Sequence, residues 1–417
     1  MFQRYLLARA EELLCEFRIL YLTGPRQSGK TTIARAIAEK QGMTYVTLDD
    51  QATLTSVRSD PHGFIRSMES QRLVIDEFQY APELIPAIKA ASDRLGASVK
   101  GKFLLTGSTD IFRSANVQES LPGHMARLEL MPLSCSEINE NTLNIVDYLC
   151  YADFSSQTTP FINREQLAQR ILLGGYPEVQ DKSERSRQTW FRSYIEGRLF
   201  KDFETLHAAR GDYYSRLQAL VPALAGLSGN LLKYANLAND LELNDKVVKS
   251  YCEILELMFI LRRVPAYVKN RAKRQATRMP KVHFIDTGLA AHLLGIRKPD
   301  VLLKSQFHGG LLENLIYMEC YKQAGWADEE VSLMHFRDTQ RNEVDLVMER
   351  ADGGIIGVEI KASASFRMQD FRGLAALAEH AGSHFQHGVL IYTGDKVLPV
   401  KMGKQLFHAV PAGLFVG

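Results

Sequence analysis

GPRQSGKT, residues 24–31, is the stretch that decides the fold of the first part of the chain. It has the pattern G-x-x-x-x-G-K-[ST]. The apolar run ILYLT at residues 19–23 comes directly before it and has the length of a buried strand. TIARAIAEK, residues 32–40, follows and places its apolar residues on one face of a helix. Strand, glycine-rich loop and helix in this order predict a P-loop.

The chemistry of this loop follows from its residue types. Gly24 and Gly29 allow backbone N–H groups to turn towards phosphate, and the helix N-terminus adds the positive end of its dipole. Lys30 is expected to reach the β- and γ-phosphates, and the hydroxyl of Thr31 to help hold Mg²⁺. ATP and Mg²⁺ are therefore the predicted ligands. The predicted nucleotide-binding residues are Gly24, Pro25, Arg26, Gln27, Ser28, Gly29, Lys30, Thr31 and Thr32.

A second apolar run, residues 72–75, ends in a pair of carboxylates. A buried strand that ends in Asp76 and Glu77 is the Walker B arrangement. Asp76 is predicted to hold the Mg²⁺. Glu77 is predicted to polarise the attacking water as a general base. These roles predict an enzyme that hydrolyses ATP.

A third run, residues 102–105, leads into Thr106 and Ser108. Their hydroxyls suit a sensor of the γ-phosphate, with a simple turn as the alternative. Strands are also predicted at residues 43–50 and 126–130, which completes a parallel sheet. Ligands bind at the carboxyl ends of the strands in such sheets, where these motifs fall. The predicted catalytic residues are Lys30, Glu77, Thr106 and Ser108.

Four stretches together resemble a known family: GPRQSGKTT, LVIDEFQYAPELIPAIK, FLLTGST and LPGHMARLELMPLS. They are similar to the bacterial and archaeal AAA-type ATPases that carry a C-terminal domain of unknown function. In that family the stretch after the sensor strand reads Leu-Ala-Gly-Arg, whereas residues 121–124 read LPGH. An arginine there could serve a neighbouring subunit as a finger, and Arg113 and Arg127 are the alternatives to His124. A ring, a dimer and a monomer all stay open.

The polar stretch SSQTTP at residues 155–160 predicts a linker. The expected domains are an AAA-type P-loop ATPase (residues 1–153), a helical region with a winged helix (160–300) and a nuclease-like domain (301–417). The fold class is therefore multidomain α/β. It combines a P-loop NTPase parallel sheet, a central helical region and a C-terminal restriction-endonuclease-like domain.

Residues 234–262 have the spacing of two helices joined by a short turn, followed by the start of a strand. The tract at residues 269–281 then carries six basic residues and no acid. This order predicts a winged helix, whose second helix can enter the major groove and whose basic wing can contact phosphates. A protein-interaction or lid module is the alternative. The candidate DNA contacts are Lys269, Arg271, Lys273, Arg274, Arg278 and Lys281.

Near the end of the chain, four charged residues fall on predicted elements in a set order. Glu313 lies on a helix, Asp345 on an alternating strand, and Glu359 and Lys361 on the next strand after Gly353-Gly354. This Glu, Val-Asp, Glu-x-Lys pattern resembles the PD-(D/E)xK nuclease superfamily. Glu313, Asp345 and Glu359 could share a second divalent metal, and Lys361 could steady the attacking water. A nuclease fold that binds DNA or acts as a scaffold without cleavage is the alternative.

The amino-acid composition excludes several classes of protein. Of 417 residues, 46% are hydrophobic and 24% are charged, which argues against long disorder and against a fibrous rod. The formal charge is 50 − 48 = +2, so any surface for nucleic acid must be local. The five cysteines form no CxxC pair, the N-terminus does not read as a signal peptide, and no segment has about 20 apolar residues in a row. We expect a cytoplasmic location without membrane contact.

Three functions follow from these patterns. The first is an ATPase whose nucleotide state controls a DNA-binding, nuclease-like module. The second is an ATP-dependent DNA nuclease that uses Asp345, Glu359 and Lys361. The third is a nucleotide-dependent switch that recruits a protein and does not contact DNA. Steep salt dependence of DNA binding would separate the first two from the third.

Overall fold

The computed structural model describes residues 2–96, 98–109, 123–151, 154, 162–206, 213–269 and 279–417. The chain forms two compact units. The first comprises Met1–Pro132 with Leu257–Phe259, and the second comprises Leu133–Glu256 with Ile260–Gly417. Within the described residues, no helix combines the length and the apolar character needed to cross a membrane.

The first unit is a parallel sheet covered by helices. Its elements are α1 (Leu6–Glu16), β1 (Ile19–Thr23), α2 (Lys30–Gln41), β2 (Thr44–Thr47), α3 (Gln51–Ser59), α4 (Pro61–Ser67), β3 (Leu73–Asp76), α5 (Leu84–Leu95), β4 (Phe103–Gly107) and β5 (Met125–Glu129). The strand order is β2-β3-β4-β1-β5, and every neighbouring pair is parallel. The predicted five-stranded parallel sheet is therefore confirmed.

The central strands of this sheet are buried on both faces, as parallel strands between two helical layers must be. All five residues of β1 and all four of β3 are buried. Helix α2 begins directly after Gly29 and ends at Gln41. The next residue, Gly42, adopts a left-handed conformation and donates its N–H to the carbonyl of Ala38, which caps the helix. The carboxyl ends of β1, β3 and β4 thus meet beside the start of α2.

The second unit begins with helices and a small sheet. Its first elements are α6 (Cys135–Ile138), α7 (Ile145–Tyr151), α8 (Arg164–Leu173), α9 (Glu184–Tyr194), α10 (Phe200–Leu206), α11 (Tyr213–Gly226), β6 (Asn230–Leu231), α12 (Tyr234–Asp240), α13 (Asp245–Leu257), β7 (Leu261–Val264), β8 (Lys281–Phe284), α14 (Thr287–Leu293) and α15 (Pro299–Lys304). Strands β6, β8 and β7 form an antiparallel sheet in that order.

The unit continues with a long helix and a mixed sheet. These elements are α16 (His308–Gln323), β9 (Val331–Arg337), β10 (Glu343–Arg350), β11 (Ile355–Lys361), α17 (Arg372–Ala381), β12 (Phe385–Tyr392), β13 (Leu398–Met402), β14 (Gln405–Pro411) and α18 (Gly413–Val416). The strand order is β13-β14-β12-β11-β10-β9. Strands β9, β10 and β11 are antiparallel neighbours, and β12 joins β11 in parallel after α17.

Helix α16 is the centre of the second unit. It is buried around almost its whole circumference and packs against α8, α14, β8 and β11. Because it is buried, its polar side chains need partners inside the protein. Asn314, for example, accepts the N–H of Phe284 at 2.6 Å and donates to the carbonyl of the same residue at 2.8 Å.

The compact units do not coincide with the predicted ranges 1–153, 160–300 and 301–417. The first unit ends at Pro132, and the second contains both the helical region and the C-terminal sheet. Backbone bonds join these two parts, because Tyr267 donates to the carbonyl of His335 at 2.6 Å and His335 donates to that of Pro265 at 3.0 Å. The chain that leaves β7 therefore pairs with β9 at the edge of the mixed sheet.

Candidate functional site

The glycine-rich loop lies at the carboxyl end of β1 and leads into α2, as predicted. Gly24 approaches the backbone so closely that a Cβ there would collide with the carbonyl oxygen of Leu130. Lys30, the first residue of α2, is 5% exposed, and its Nζ donates to the carbonyls of Gly24 at 2.9 Å and Pro25 at 2.8 Å. Burial lowers the pKa of Lys30 to about 8, against the opposing attraction of Glu77.

The hydroxyl of Thr31 and the carboxylate of Asp76 meet beside this loop. Thr31 Oγ1 donates to Asp76 Oδ2 at 2.9 Å, and the hydroxyls of Thr106 and Tyr45 also donate to Asp76, which is 2% exposed. Asp76 and Thr31 supply the hard oxygen ligands that Mg²⁺ prefers. The residues present thus fit a nucleotide-bound Mg²⁺.

Tyr45 is a member of this cluster that the sequence motifs do not indicate. Burial, together with the carboxylate of Asp76, raises the pKa of Tyr45 to about 12. The guanidinium of Arg35 lies over its ring, 4.9 Å from the ring centroid. Tyr45 is thereby kept as a neutral hydroxyl that donates to Asp76.

Glu77 occupies a strained backbone position directly after β3. Its φ is 56°, in the left-handed region that a non-glycine residue rarely adopts, and its N–H donates to Thr106 Oγ1 at 3.2 Å. Its carboxylate accepts a hydrogen bond from Nε2 of Gln79. Gln79 also donates to Ser108 Oγ at 3.0 Å and accepts the N–H of Ser108 at 3.2 Å. Gln79 therefore links Glu77 to Ser108 directly after β4, a contact that no sequence motif indicated.

The arginine-finger candidates have different surroundings. Arg127 forms an ion pair with Glu129 on the same strand. His124 lies 3.2 Å from Nη1 of Arg18 and 3.5 Å from the carboxylate of Asp93. Arg113 lies outside the described residues. The identity of a finger stays a prediction.

The predicted nuclease-like residues come together in the second unit. Asp345 Oδ2 accepts the N–H of Ile360 at 2.9 Å, so strand β11 holds this carboxylate in place. Glu359 Oε1 lies 3.0 Å from Nζ of Lys361, whereas Glu359 Oε2 is buried and has no hydrogen-bond partner within the part of the chain that the structure describes. The carboxylates of Glu313 on α16 and Asp345 on β10 do not enclose an open space for a metal ion, because the ammonium group of a lysine lies between them.

That lysine is Lys281, the first residue of β8. Its Nζ lies 2.8 Å from Glu313 Oε1 and 2.8 Å from Asp345 Oδ1, and the residue is 3% exposed. The sequence placed Lys281 among the DNA contacts. That prediction is wrong, because its ammonium is enclosed by two carboxylates and does not reach the surface. Lys281 is the cluster member that sequence reasoning missed.

Burial dominates the ionisation of this cluster. It raises the pKa of Glu359 to about 8, and the charge of Asp345 acts in the same direction. It likewise raises the pKa of Glu313. Burial also opposes ionisation of Asp345, but the adjacent ammonium of Lys281 holds the pKa of that carboxyl below its ordinary value. Of the three carboxyl groups, Asp345 is thus the one whose ionised form is favoured.

The predicted second metal site is not supported. Among the described residues, no group of three or more His, Cys, Asp and Glu side chains is arranged to hold a metal ion. Glu313, Asp345 and Glu359 fail as a set because Lys281 takes two of the carboxylate oxygens. No chemical step is therefore assigned to a metal in this unit.

The basic tract is described only at its two ends. Lys269 is exposed, and Lys281 is buried as stated above. The other predicted DNA contacts, Arg271, Lys273, Arg274 and Arg278, lie outside the described residues. Near the second end of the tract, the carbonyl oxygen of Met279 accepts a hydrogen bond from Nε2 of His335 at 3.1 Å. This end of the tract therefore contacts strand β9.

Comparison with known protein families assigns three segments. Residues 16–139 match the model of an AAA domain, which agrees with the predicted AAA-type ATPase. Residues 164–300 and residues 308–415 match two domains of unknown function, DUF8612 and DUF4143. The predicted C-terminal domain of unknown function is thus confirmed, and neither match describes a nuclease.

Similar whole proteins include two uncharacterized mycobacterial proteins. Mb2031c of Mycobacterium bovis and Rv2008c of Mycobacterium tuberculosis are each 26% identical over 368 residues, which is 86% of this chain and 73% of theirs. Among solved structures, the Walker-type ATPase of Pyrococcus abyssi is 16% identical, with a TM-score of 0.44 over 70% of this chain and 96% of its own. RuvB of Thermotoga maritima is 17% identical, with a TM-score of 0.28 over 64% and 91%.

Proposed function

We propose that this protein binds and hydrolyses ATP and that its nucleotide state controls a DNA-binding, nuclease-like module in the second unit. One observation carries the ATPase part. The phosphate-binding loop, the Thr31–Asp76 pair and Glu77 all lie at the carboxyl ends of β1 and β3, the strands on either side of β4 in the parallel sheet. The AAA-domain match over residues 16–139 supports the same conclusion.

The loop and the pair have separate tasks in nucleotide binding. Backbone N–H groups of the loop and the start of α2 bind the phosphates. When phosphate binds, the ammonium of Lys30 leaves the carbonyls of Gly24 and Pro25 and contacts phosphate oxygens. The negative charge of the phosphates then balances the positive charge of the ammonium. Thr31 and Asp76 hold Mg²⁺, which, when bound, neutralises charge on the phosphates.

Glu77 acts as the general base in this proposal. A carboxylate within hydrogen-bond reach of water can accept its proton as the water attacks. The amide of Gln79 fixes one carboxylate oxygen of Glu77 and joins it to Ser108 at the end of β4. Thr106 connects the same region to Asp76, so base, metal site and sensor strand form one network.

ATP binding and turnover test this part of the proposal. Lys30→Ala is expected to abolish both, because the phosphates lose their cation. Glu77→Gln is expected to bind ATP and to hydrolyse it about 100-fold more slowly, the scale of a lost general base. Lys40→Ala is the matched control, because Lys40 lies in the last turn of the same helix, is exposed and pairs with Glu11. Wild-type turnover by Lys30→Ala would refute the P-loop assignment.

The DNA-binding part rests on the order of elements in the second unit. Helix α11, strand β6, helices α12 and α13 and strands β7 and β8 follow one another, with β8 between β6 and β7 in the sheet. This order of elements supports the proposal of a winged helix, in which α13 would be the recognition helix. Lys246 and Lys249 are exposed on α13.

Salt-dependent DNA binding tests this part. We expect Lys246→Glu with Lys249→Glu to weaken binding and to reduce the slope of log affinity against log salt by about two, since each phosphate contact contributes about 0.9. Lys401→Glu with Lys404→Glu is the matched control. It makes the same charge change at exposed positions around the turn after β13. Equal losses in both variants would mean that α13 is not the contact.

The C-terminal elements support the nuclease-like part of the proposal. Glu313 on α16, Asp345 on β10 and Glu359 on the antiparallel neighbour β11 follow one another in the order that the resemblance implies. The ATP-dependent nuclease, the alternative function, would need a metal at Asp345 and Glu359. The ammonium of Lys281 at Asp345 stands against it.

A further inference from the structure

The acidic cluster of the second unit contains its own cation. The ammonium of Lys281 lies at equal distances of 2.8 Å from one oxygen of Glu313 and one oxygen of Asp345. These oxygens come from α16 and β10, whereas the lysine comes from β8 of the small sheet. Three elements that are separate in sequence thus converge on one buried positive charge.

We propose that Lys281 takes the place of a divalent metal ion in this cluster, so that the native site binds no metal and removal of the lysine charge creates a metal site. The inference concerns only the second unit and would stand if the ATPase proposal failed. Lys281 is then a structural cation at the place where the nuclease resemblance implies a catalytic metal.

The geometry supports this substitution. Separations of 2.8 Å are those of strong hydrogen bonds between ammonium and carboxylate groups. A divalent ion binds carboxylate oxygens at about 2.0–2.6 Å and would need the same two oxygens. Lysine and metal therefore exclude each other at Glu313 and Asp345.

The charges of the cluster point the same way. Glu313, Asp345 and Glu359 contribute −3, and Lys281 and Lys361 contribute +2, which leaves −1. Without Lys281 the sum becomes −3 + 1 = −2, the charge that one divalent cation neutralises.

A fourth side chain, His283, indicates what such a cation would find. His283 lies two residues after Lys281 on the same face of β8 and is fully buried, and neither of its ring nitrogens has a hydrogen-bond partner among the described residues. Its Nε2 lies 3.6 Å from Glu313 Oε1, and its ring stacks on Tyr317. A neutral imidazole beside carboxylates suits a first-row transition metal, so Mn²⁺ is the appropriate probe.

Mn²⁺ binding to the full chain without nucleotide, measured by electron paramagnetic resonance, tests the proposal. Wild-type protein is expected to show no site that depends on Asp345. Lys281→Met is expected to gain a single site, and Lys281→Met with Asp345→Asn is expected to lose it. Lys322→Met is the matched control, since Lys322 is another buried lysine of this unit that pairs with Glu319 and does not contact Asp345.

Thermal unfolding gives a second readout. Removing one partner of a buried ion pair is destabilising, so Lys281→Met is expected to unfold at a lower temperature and to regain stability with Mn²⁺. Lys281→Gln, which keeps hydrogen-bond donors, is the second variant if the first does not fold. Mn²⁺ binding by wild-type protein that Asp345→Asn removes would overturn the proposal. A folded Lys281→Met that binds no Mn²⁺ would overturn it as well.

Discussion

Gln79 is an uncharged residue that holds the side chain of Glu77, the general base of the proposed ATPase. Its side-chain amide contacts both the carboxylate of Glu77 and the hydroxyl of Ser108. Glu77 has a positive φ, so its backbone is held in a costly conformation that neighbouring contacts must maintain. Gln79 is therefore a positioning residue that acts through Glu77.

We predict that Gln79→Ala lowers the turnover number about 10-fold while the dissociation constant for ATP stays within about twofold, because orientation of the base is lost and the phosphate contacts remain. Steady-state kinetics and nucleotide titration measure the two quantities separately. Gln51→Ala, at an exposed position on α3, is the control. Loss of ATP affinity equal to the loss of turnover would show that Gln79 supports the fold of the site instead.

At the residue scale, the sequence identified the residues that belong to a short motif. It missed the roles of residues that belong to no motif and whose partners lie far away in the chain. Lys30 and Thr31 are adjacent in one loop, so a motif finds them. Gln79 meets Ser108 across 29 positions and Lys281 meets Asp345 across 64. Such pairs form only when strands are brought together, and a single sequence carries no signal for the partner.

Among the elements, the start of α16 provides an adjacent pair of glycines in different surroundings. A Cβ on Gly309 would meet nothing within 4 Å, whereas a Cβ on Gly310 would collide with the carbonyl oxygen of Ser228. The backbone of α16 thus approaches the turn before β6 at Gly310. This approach also brings Glu313, one turn later, beside that turn.

We predict opposite effects for the two alanine substitutions. Gly310→Ala should lower the free energy of unfolding by about 1–3 kcal/mol, the usual cost of forcing atoms into a packed region. Gly309→Ala should leave it unchanged or raise it by up to about 1 kcal/mol, because alanine is the better helix former. Chemical denaturation of the two variants beside wild type measures the difference. Equal stabilities would mean that α16 does not approach Ser228 in solution.

Strand β10 illustrates how far element prediction reached. The alternation of residues 342–348 indicated a strand with one apolar and one charged face, and β10 spans Glu343–Arg350. Asp345 on the charged face is largely buried, however. Helix α17 packs on β10 and α16 on the neighbouring β11, so Asp345 and Glu359 are enclosed with Lys281. Periodicity assigns residues to faces, but what covers each face depends on helices elsewhere in the chain.

For the whole molecule, charge balance limits how DNA can bind. The net charge of +2 provides no general attraction for a polyanion, so any affinity for DNA would have to come from a local surface such as α13. The P-loop motif was sufficient to predict the first unit, whose sheet was confirmed strand by strand. The organisation of the second unit was harder to predict. Its helical region and its C-terminal sheet both pack on α16, and backbone hydrogen bonds of Tyr267 and His335 join them.

Control of DNA binding by nucleotide makes a prediction that works in both directions. If ATP changes the affinity for DNA by some factor, DNA must change the affinity for ATP by the same factor, since both describe one coupling free energy. We expect a factor of about 5 or more, the lower end of typical allosteric coupling. Glu77→Gln is the form to use, because it is expected to hold ATP without consuming it.

Two titrations of Glu77→Gln measure this factor independently. Labelled DNA is titrated with and without ATP, and labelled ATP is titrated with and without DNA, at one salt concentration because DNA affinity depends steeply on salt. Lys30→Ala is the control, and its DNA affinity should not respond to ATP. Two equal factors above one would establish that the nucleotide site and the DNA-binding module are coupled. Factors of one in both titrations, with tight binding of each ligand, would mean that the two units bind independently and that nucleotide does not control the module.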